Sequence, residues 1–310
     1  MQNLHIKRPL EPKQASQYRG RFAPSPSGLL HFGSLIAALA SFLDAKSFVN
    51  DRGEQGKWLI RIEDIDPPRE QKGASAAILT TLEAFGLHWD ETALYQSTQY
   101  QYYRDILSTL ARQKLSYYCQ CTRAQIKAIG GIYQGHCRTA NYQPQNNATR
   151  LINQYGLHQF NDIFQGDVVC DKALADEDFI IHRKDGLFAY QLAVVADDIA
   201  QGITHVIRGC DLLEPTARQL TFFKTLNSTA PKYGHVPLAV TAQGYKLSKQ
   251  NKALAIDVNN PQPALFNALM FLGQKPPTAL VESSITDIIT WAIKNWQRSH
   301  VPNKTEISLI

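Results

Sequence analysis

The sequence contains no run approaching the roughly 20 uninterrupted apolar residues that a membrane-spanning helix requires, although 44% of its 310 residues are apolar. Its opening stretch, MQNLHIKRPLEPKQASQY, is polar and lacks the apolar centre of an export signal. Together these absences lead us to expect a soluble cytoplasmic protein with no membrane partner. Cysteine is scarce. There are five, an odd number, with Cys119, Cys121 and Cys137 clustered and Cys170 and Cys210 apart. Without an export signal, that count argues against a disulfide framework. A strong charge of one sign is also missing. The net charge of +5 is compatible with a polyanionic partner but does not demand one. No internal repeat and no low-complexity tract is visible, so neither a solenoid nor an extended linker is expected.

What is present is enough chain for a sizeable core, in one large domain with an insertion or in two domains. From Arg19 the text alternates between short apolar runs and helix-like spacing. RGRFAPSP reads as a strand ending in a proline-rich turn, and GSLIAALASFLDAKSF as a buried helix. KWLIRIED reads as a second strand, and REQKGASAAILTTLEAFGL as a helix stopping near Gly86. After a middle rich in Cys, Gly and Tyr, the run AYQLAVVADDIAQGITHVIRG gives a helix and then a strand. LEPTARQLTFFKTLN gives a helix with Pro215 in its first turn, where proline is tolerated. Strands alternating with helices imply βαβ units and a parallel sheet, hence an α/β fold. We expect a leader over 1–18, the first half of the sheet domain over 19–95, and an insertion over 96–188. The second half follows over 189–236, and a lysine-containing loop with a helical region over 237–310.

Four segments carry chemistry. The turn Ala23-Pro24-Ser25-Pro26-Ser27-Gly28 follows a strand, and His31-Phe32-Gly33-Ser34 opens a helix. Free N–H groups and the helix dipole make such a place an anion site. Near the far end, Lys246-Leu247-Ser248-Lys249-Gln250 sets two lysines around a serine, suited to a loop that closes over a triphosphate. Between them, Arg61-Ile62-Glu63-Asp64-Ile65-Asp66 ends a predicted strand, where ligands of open α/β sheets collect. A pairing of Asp64 and Asp66 with Arg61 and Arg69 at the surface is the structural alternative to a binding role. Cys119, Cys121 and Cys137, with Tyr133 and His136 nearby, have the composition of a closed zinc site. Zinc chemistry alone selects His136 as the fourth ligand, because imidazole is common at zinc and phenolate is not.

These texts resemble the two signatures of class I aminoacyl-tRNA synthetases, in the form found in glutamyl-tRNA synthetases. RFAPSPSG at Arg21–Gly28 is similar to their R-F-A-P-S-P-T-G strand, and HFGS at His31–Ser34 to their His-x-Gly-His signature. Here Ser34 replaces the final histidine. KLSKQ resembles Lys-Met-Ser-Lys-Ser, and RIEDID resembles R-x-E-D-T-D. The Cys-x-Cys followed by GGIYQGHC, and the 60 or so residues after Gln250, resemble the truncated branch called glutamyl-queuosine tRNA(Asp) synthetases. The resemblance runs from Arg19 to about Gln250 and more loosely to AIKNWQ. It implies a Rossmann-type parallel sheet of the class I synthetase kind, with a zinc-containing insertion and a short helical C-terminal region. It implies that ATP activates L-glutamate as glutamyl-adenylate without tRNA. Glutamate then passes to queuosine in the anticodon of tRNA(Asp).

By the same resemblance, His31, Lys246 and Lys249 are catalytic. Gly33, Ser34 and Ser248 join them at ATP, which comes with Mg²⁺. Arg21, Phe22, Ala23, Pro24, Ser25, Glu63, Tyr190 and Arg208 hold glutamate, and which arginine takes which carboxylate stays open. The branch also points to Tyr133 as the fourth ligand of one structural Zn²⁺, with His136 as the alternative. A monomer is expected. Two rival readings are a shortened glutamyl-tRNA synthetase charging a tRNA 3′ end, and a non-catalytic RNA-binding paralogue.

Overall fold

The computed structural model describes residues 17–241 and 254–309. In chain order its elements begin with β1 (Arg19–Phe22), α1 (Phe32–Lys46), β2 (Lys57–Ile62), α2 (Ala74–Ala84), β3 (Leu94–Tyr95) and α3 (Tyr100–Arg112). Next come β4 (Ser116–Cys119), α4 (Arg123–Ala128), β5 (Ala148–Leu151), β6 (Gln159–Asp162), β7 (Gly166–Val169), α5 (Lys172–Asp176) and β8 (Ile180–His182). The chain closes with α6 (Tyr190–Ala200), β9 (His205–Gly209), α7 (Pro215–Thr225), β10 (Lys232–Val236), β11 (Leu238–Val240), α8 (Gln262–Phe271), α9 (Ile285–Asn295) and β12 (Glu306–Ser308).

The main sheet is parallel, in the order β10-β9-β1-β2-β3. Strand order reverses at β1, because β2 lies on one side of it and β9 on the other. That switch point opens a crevice at the carboxyl ends of the strands. Between β3 and β9 the chain makes an antiparallel sheet, β4-β5-β8, and a separate hairpin, β6–β7. The α/β class and the parallel sheet read from the sequence are thus observed. The helix read over REQKGASAAILTTLEAFGL is shorter, because Pro67–Arg69 forms a 3₁₀ turn and Gly73 precedes the first α-helical turn.

Helix α1 shows why the C-terminal region matters. Its run Leu35–Ala45 is buried nearly all round, including Ser41 and Asp44. A helix apolar on every face must be covered on every face. One side of α1 lies on β1, β2 and β9, and the other is capped by α8 and α9. Trp58 on β2 stands edge-on to Phe42, with ring centroids 5.2 Å apart, and its indole N–H donates to Ser41 Oγ at 2.9 Å. The region after Pro237 also contributes β12, which pairs in parallel with β11. Sequence reading gave a strand-like PLAVT, a loop and helices in that region, but no strand at 306–308.

The closing contact is made by Asp44. Arg298 donates to it through Nε and Nη2 at 2.7 and 2.9 Å, Trp296 Nε1 at 3.0 Å, and the Tyr18 hydroxyl also donates to it. Tyr18, the last residue of the expected leader, is buried and stacks on His205 at 4.0 Å. Residues 1–16 of that leader lie outside the described residues. Replacing a buried carboxylate that holds three donors strands those donors and costs about 3 kcal/mol. Asp44→Ala is therefore expected to lower the unfolding free energy by that amount, seen in urea as a lower midpoint with an unchanged slope. A shift within error of zero contradicts the role given to this contact.

Candidate active site

The proline-rich turn after β1 is held by backbone bonds to the next strand tail. Glu63 N–H donates to Pro24 O at 3.0 Å, and Gln71 N–H to Pro26 O at 2.9 Å. Gly28 sits at φ +136°, a region that L side chains rarely adopt, which explains glycine there. The turn delivers the chain to His31, the N-cap of α1, whose Nδ1 accepts from Ser34 N–H at 3.2 Å. Ser34 thus enters the site through its backbone. A cap residue normally offers oxygen; here an imidazole does the job, and its ring is fixed at the helix N-terminus.

Past the described break, Ala255 bridges to His31 and Ile256 N–H donates to Leu30 O at 3.1 Å. The chain leaving the KLSKQ segment is therefore tied to the first signature. Lys246, Ser248 and Lys249 themselves lie outside the described residues.

Arg21, Glu63, Tyr190 and Arg208 come from β1, the tail of β2, the start of α6 and β9. All four gather at the carboxyl edge of the sheet, where Glu63 and Tyr190 each interact electrostatically with Arg21, Arg61 and Arg208. A cavity of about 160 Å³ opens there, lined by Ser25, Ser27, Glu63, Gln96, Phe188 and Tyr190 among others. Phe22 and Pro24 are buried beside it, and Ala23 is half-buried. Burial pushes the Glu63 carboxyl above its ordinary range against the pull of Arg61 and Arg21. A bound ammonium group would relieve that cost.

Two adjacent acids on α6 hold the cations. Arg21 donates Nε and Nη2 to Asp198 at 3.1 and 3.2 Å, and Arg61 donates Nη1 to the same carboxylate at 2.6 Å. Desolvation opposes the charge on Asp198, but the two guanidiniums overcome it and keep its pKa low. Its neighbour Asp197 goes the other way. Burial raises it to about 7, against Arg61 and the hydrogen bonds from Tyr103 and Gln96. The expected surface pairing of Arg61 is not what forms, since the side chain is fully buried. Asp64 instead accepts from Ser97 N–H and Oγ, while Asp66 does pair with Arg69, at 2.5 Å.

Arg208 is held from three sides. Its Nε donates to His235 Nε2 at 3.0 Å, and its Nη2 donates to Thr216 Oγ1 at 2.7 Å and Leu212 O at 3.2 Å. Its guanidinium carbon lies 4.9 Å from the Tyr233 ring centre. Arg208 Nη1 and the Tyr233 hydroxyl are buried and have no hydrogen-bond partner among the described residues. Buried polar atoms are nearly always satisfied, so this pair could meet a ligand, as could Arg61 Nε and Nη2, which are likewise buried and without a hydrogen-bond partner among the described residues. Sequence reading found Arg208 but missed Tyr233, His235 and Asp198, none of which lies in a signature. Arg61 carried a signal: an arginine inside an otherwise apolar strand needs a buried partner.

Away from this crevice, the sulfurs of Cys119, Cys121 and Cys137 lie within 4.8 Å of one another, a group that could hold a metal ion. Cys121 and Cys137 are 3.6 Å apart at sulfur. The Tyr133 hydroxyl accepts from Cys137 N–H at 2.7 Å, and Arg150 lies over the Tyr133 ring at 3.7 Å. His136 packs edge-on to Tyr133 and is not in the sulfur group. Burial, then the neighbouring sulfurs, push the Cys121 thiol up to about 12. A metal ion between them would hold these sulfurs as thiolates.

The profile of tRNA synthetases class I (E and Q), catalytic domain, matches residues 17–295. The chain belongs to that family. Over its full length and that of the relative, it is 81% identical to the glutamyl-Q tRNA(Asp) synthetase of Colwellia psychrerythraea. It is 52% identical to the Escherichia coli K12 protein of the same name, with 94% of this chain and 93% of that one aligned. Among solved structures, the glutamate-tRNA synthetase of Elizabethkingia anophelis superposes with a TM-score of 0.76 at 24% identity. That match covers 95% of this chain and 68% of the other, and shows the same fold. This member of the family builds its crevice from a parallel sheet with buried arginine–aspartate pairs at the carboxyl edge.

The opposite shifts of the two acids give a pH test. An unfolded aspartate titrates near 3.9, whereas folded Asp197 does so at about 7. Between these values the folded protein keeps a proton that the unfolded chain has lost, so the group's contribution to stability declines as pH rises through the window. Asp197→Asn removes the titration and keeps an acceptor for Tyr103 and Gln96. The stability of the wild type relative to this variant, from urea unfolding, is expected to fall between pH 4 and 7. A flat difference contradicts the raised value.

Proposed function

We propose that this chain uses ATP to activate L-glutamate as glutamyl-adenylate without tRNA. It then transfers the glutamate to queuosine in the anticodon of tRNA(Asp), in the cytoplasm and as a monomer. The observation that carries the reading is the pair of unsatisfied buried atoms, Arg208 Nη1 and the Tyr233 hydroxyl, on residues that interact electrostatically with Tyr190 of the cavity lining, Arg208 also with Glu63. A carboxylate satisfies the first two and an ammonium group suits Glu63, so the ligand is an amino acid with an extra carboxylate. Arg21, Phe22, Ala23, Pro24 and Ser25 form the turn against which it lies. Glutamine is rejected because its amide cannot supply the missing charge.

In the chemical step an oxygen of the α-carboxylate attacks the α-phosphate of ATP in line. One P–O bond forms as the bond to pyrophosphate breaks, and no general base is needed. His31, Lys246 and Lys249 stabilise the developing charge, Gly33, Ser34 and Ser248 seat the nucleotide, and Mg²⁺ offsets pyrophosphate charge. The bridge from Ala255 to His31 supports bringing the lysines here. Lys249 lies six positions before Ala255 in the sequence, and six residues span at most about 20 Å. A second cavity of about 380 Å³, lined by Tyr100, Arg104, His182 and Phe188, shares Ile65 and Phe188 with the first. Its aromatic and cationic lining supports an unstacked base as acceptor.

Pyrophosphate exchange is expected to require glutamate and ATP, to proceed without tRNA, and to fail with glutamine. No exchange favours the RNA-binding paralogue. Labelled glutamate is expected in an anticodon stem-loop only when that loop carries queuosine; label at the 3′ terminus means a shortened glutamyl-tRNA synthetase.

For the cysteine group we propose one structural Zn²⁺ held by Cys119, Cys121, Cys137 and Tyr133. The position of Tyr133, fixed beneath Arg150 with its hydroxyl at Cys137, supports it over His136. About one zinc per chain is expected, lost in Cys121→Ala and retained in His136→Ala. Metal-free folded protein, or loss of zinc only with His136→Ala, contradicts this assignment.

A further inference from the structure

The Arg208 guanidinium does not choose its own direction. His235 is fully buried on β10, and its two ring nitrogens have different partners. Nε2 takes the hydrogen bond from Arg208 Nε, at 3.0 Å, and Nδ1 lies 2.6 Å from Asp162 Oδ2. A guanidinium N–H only donates and a carboxylate only accepts. The imidazole must therefore be neutral, with its proton on Nδ1. Burial lowers the His235 pKa, in keeping with that form. Asp162 stays ionised despite its desolvation, helped first by His235.

Asp162 is itself fixed. Its Oδ1 accepts three backbone N–H groups, from Phe164 and Gln165 at 3.0 Å each and from His235 at 3.1 Å. It ends β6, so the acid belongs to the β6–β7 hairpin and not to the main sheet. The hairpin lies on the edge strand β10, with Ile163 N–H donating to Tyr233 O at 2.8 Å. Gly234 makes this approach possible, because a Cβ there would sit 2.8 Å from Phe164 and 2.7 Å from Ile207. A chain of three side chains thus runs from the hairpin to Arg208, whose Nη1 has no hydrogen-bond partner among the described residues.

We propose that Asp162 and His235 are positioning residues that orient Arg208 for the substrate carboxylate, so that the β6–β7 hairpin sets amino-acid recognition in the main sheet. The inference rests on the assignment of Arg208 to glutamate binding. With Nε and Nη2 engaged, Nη1 is the nitrogen that remains to meet the carboxylate. Reversing the tautomer of His235 would set its Nε2–H against Arg208 Nε–H, two donors face to face, and turn the guanidinium away.

Asp162→Asn performs that reversal with little change of shape. To keep its three backbone bonds the asparagine must present Oδ1 as before, which leaves its NH₂ facing His235 Nδ1. That nitrogen then becomes an acceptor and the proton moves to Nε2. The expected result, in glutamate-dependent pyrophosphate exchange, is a KM for glutamate raised roughly tenfold or more with the KM for ATP within about twofold. The ¹⁵N imidazole signals of His235, assigned by their loss in His235→Gln, should switch from the Nδ1–H to the Nε2–H pattern.

His235→Leu should raise the glutamate KM comparably. His235→Gln, whose amide oxygen reaches the place of Nε2, should recover most of that loss. Arg208→Gln separates the two levels of the argument. If it leaves the glutamate KM unchanged, the assignment of Arg208 fails. If it raises that KM while Asp162→Asn, with its tautomer switched, does not, the positioning pair is overturned. A wild-type His235 carrying its proton on Nε2 overturns it as well.

Discussion

The site depends on two buried arginines that share one carboxylate. Arg21 and Arg61 come from adjacent strands and meet on Asp198 of α6. Taking such charges out of water costs several kcal/mol per ion, so the arrangement is poorly explained as a stability device. Its use is positional. It locks β1, β2 and α6 to one another at the crevice, and it leaves the edge of the sheet rich in fixed positive charge. Preorganised charge of this kind does not have to reorient when an anionic substrate arrives.

The rest of the fold keeps that edge in register. Helix α1 carries His31 at its N-terminus and is clamped between the sheet and the helices that follow the KLSKQ segment. The described residues after Gln250 therefore have a structural purpose. The insertion does more than hold a cysteine cluster. Its hairpin returns to the sheet at β10 and reaches Arg208 through Asp162 and His235, so the insertion is mechanically joined to the pocket expected to meet the amino acid.

Much of this was legible before any coordinates. The alternation of RGRF, the α1 helix and KWLIRI gave the parallel sheet, because apolar runs of strand length and helix length are distinct. RFAPSPSG, HFGS and the Cys-x-Cys group gave candidate residues because each such group is local in sequence. The remainder was hidden for a physical reason. Asp162 and His235 are 73 residues apart, and each is an ordinary polar residue in a short strand until the fold brings them together. Asp197 and Asp198 look alike in the run VVADD, and only their partners drive one pKa up and the other down. β12 escaped notice because three residues pairing with a distant strand leave no periodic trace.

The most direct test of the account is a crystal structure with a non-hydrolysable glutamyl-adenylate analogue. The account predicts a carboxylate oxygen of the glutamyl group within about 3.2 Å of Arg208 Nη1, the ammonium group facing Glu63, and the phosphate beside the His31–Ser34 turn. A glutamyl group bound with both Arg21 and Arg208 remote from its oxygens, or an adenylate seated away from that turn, would contradict it.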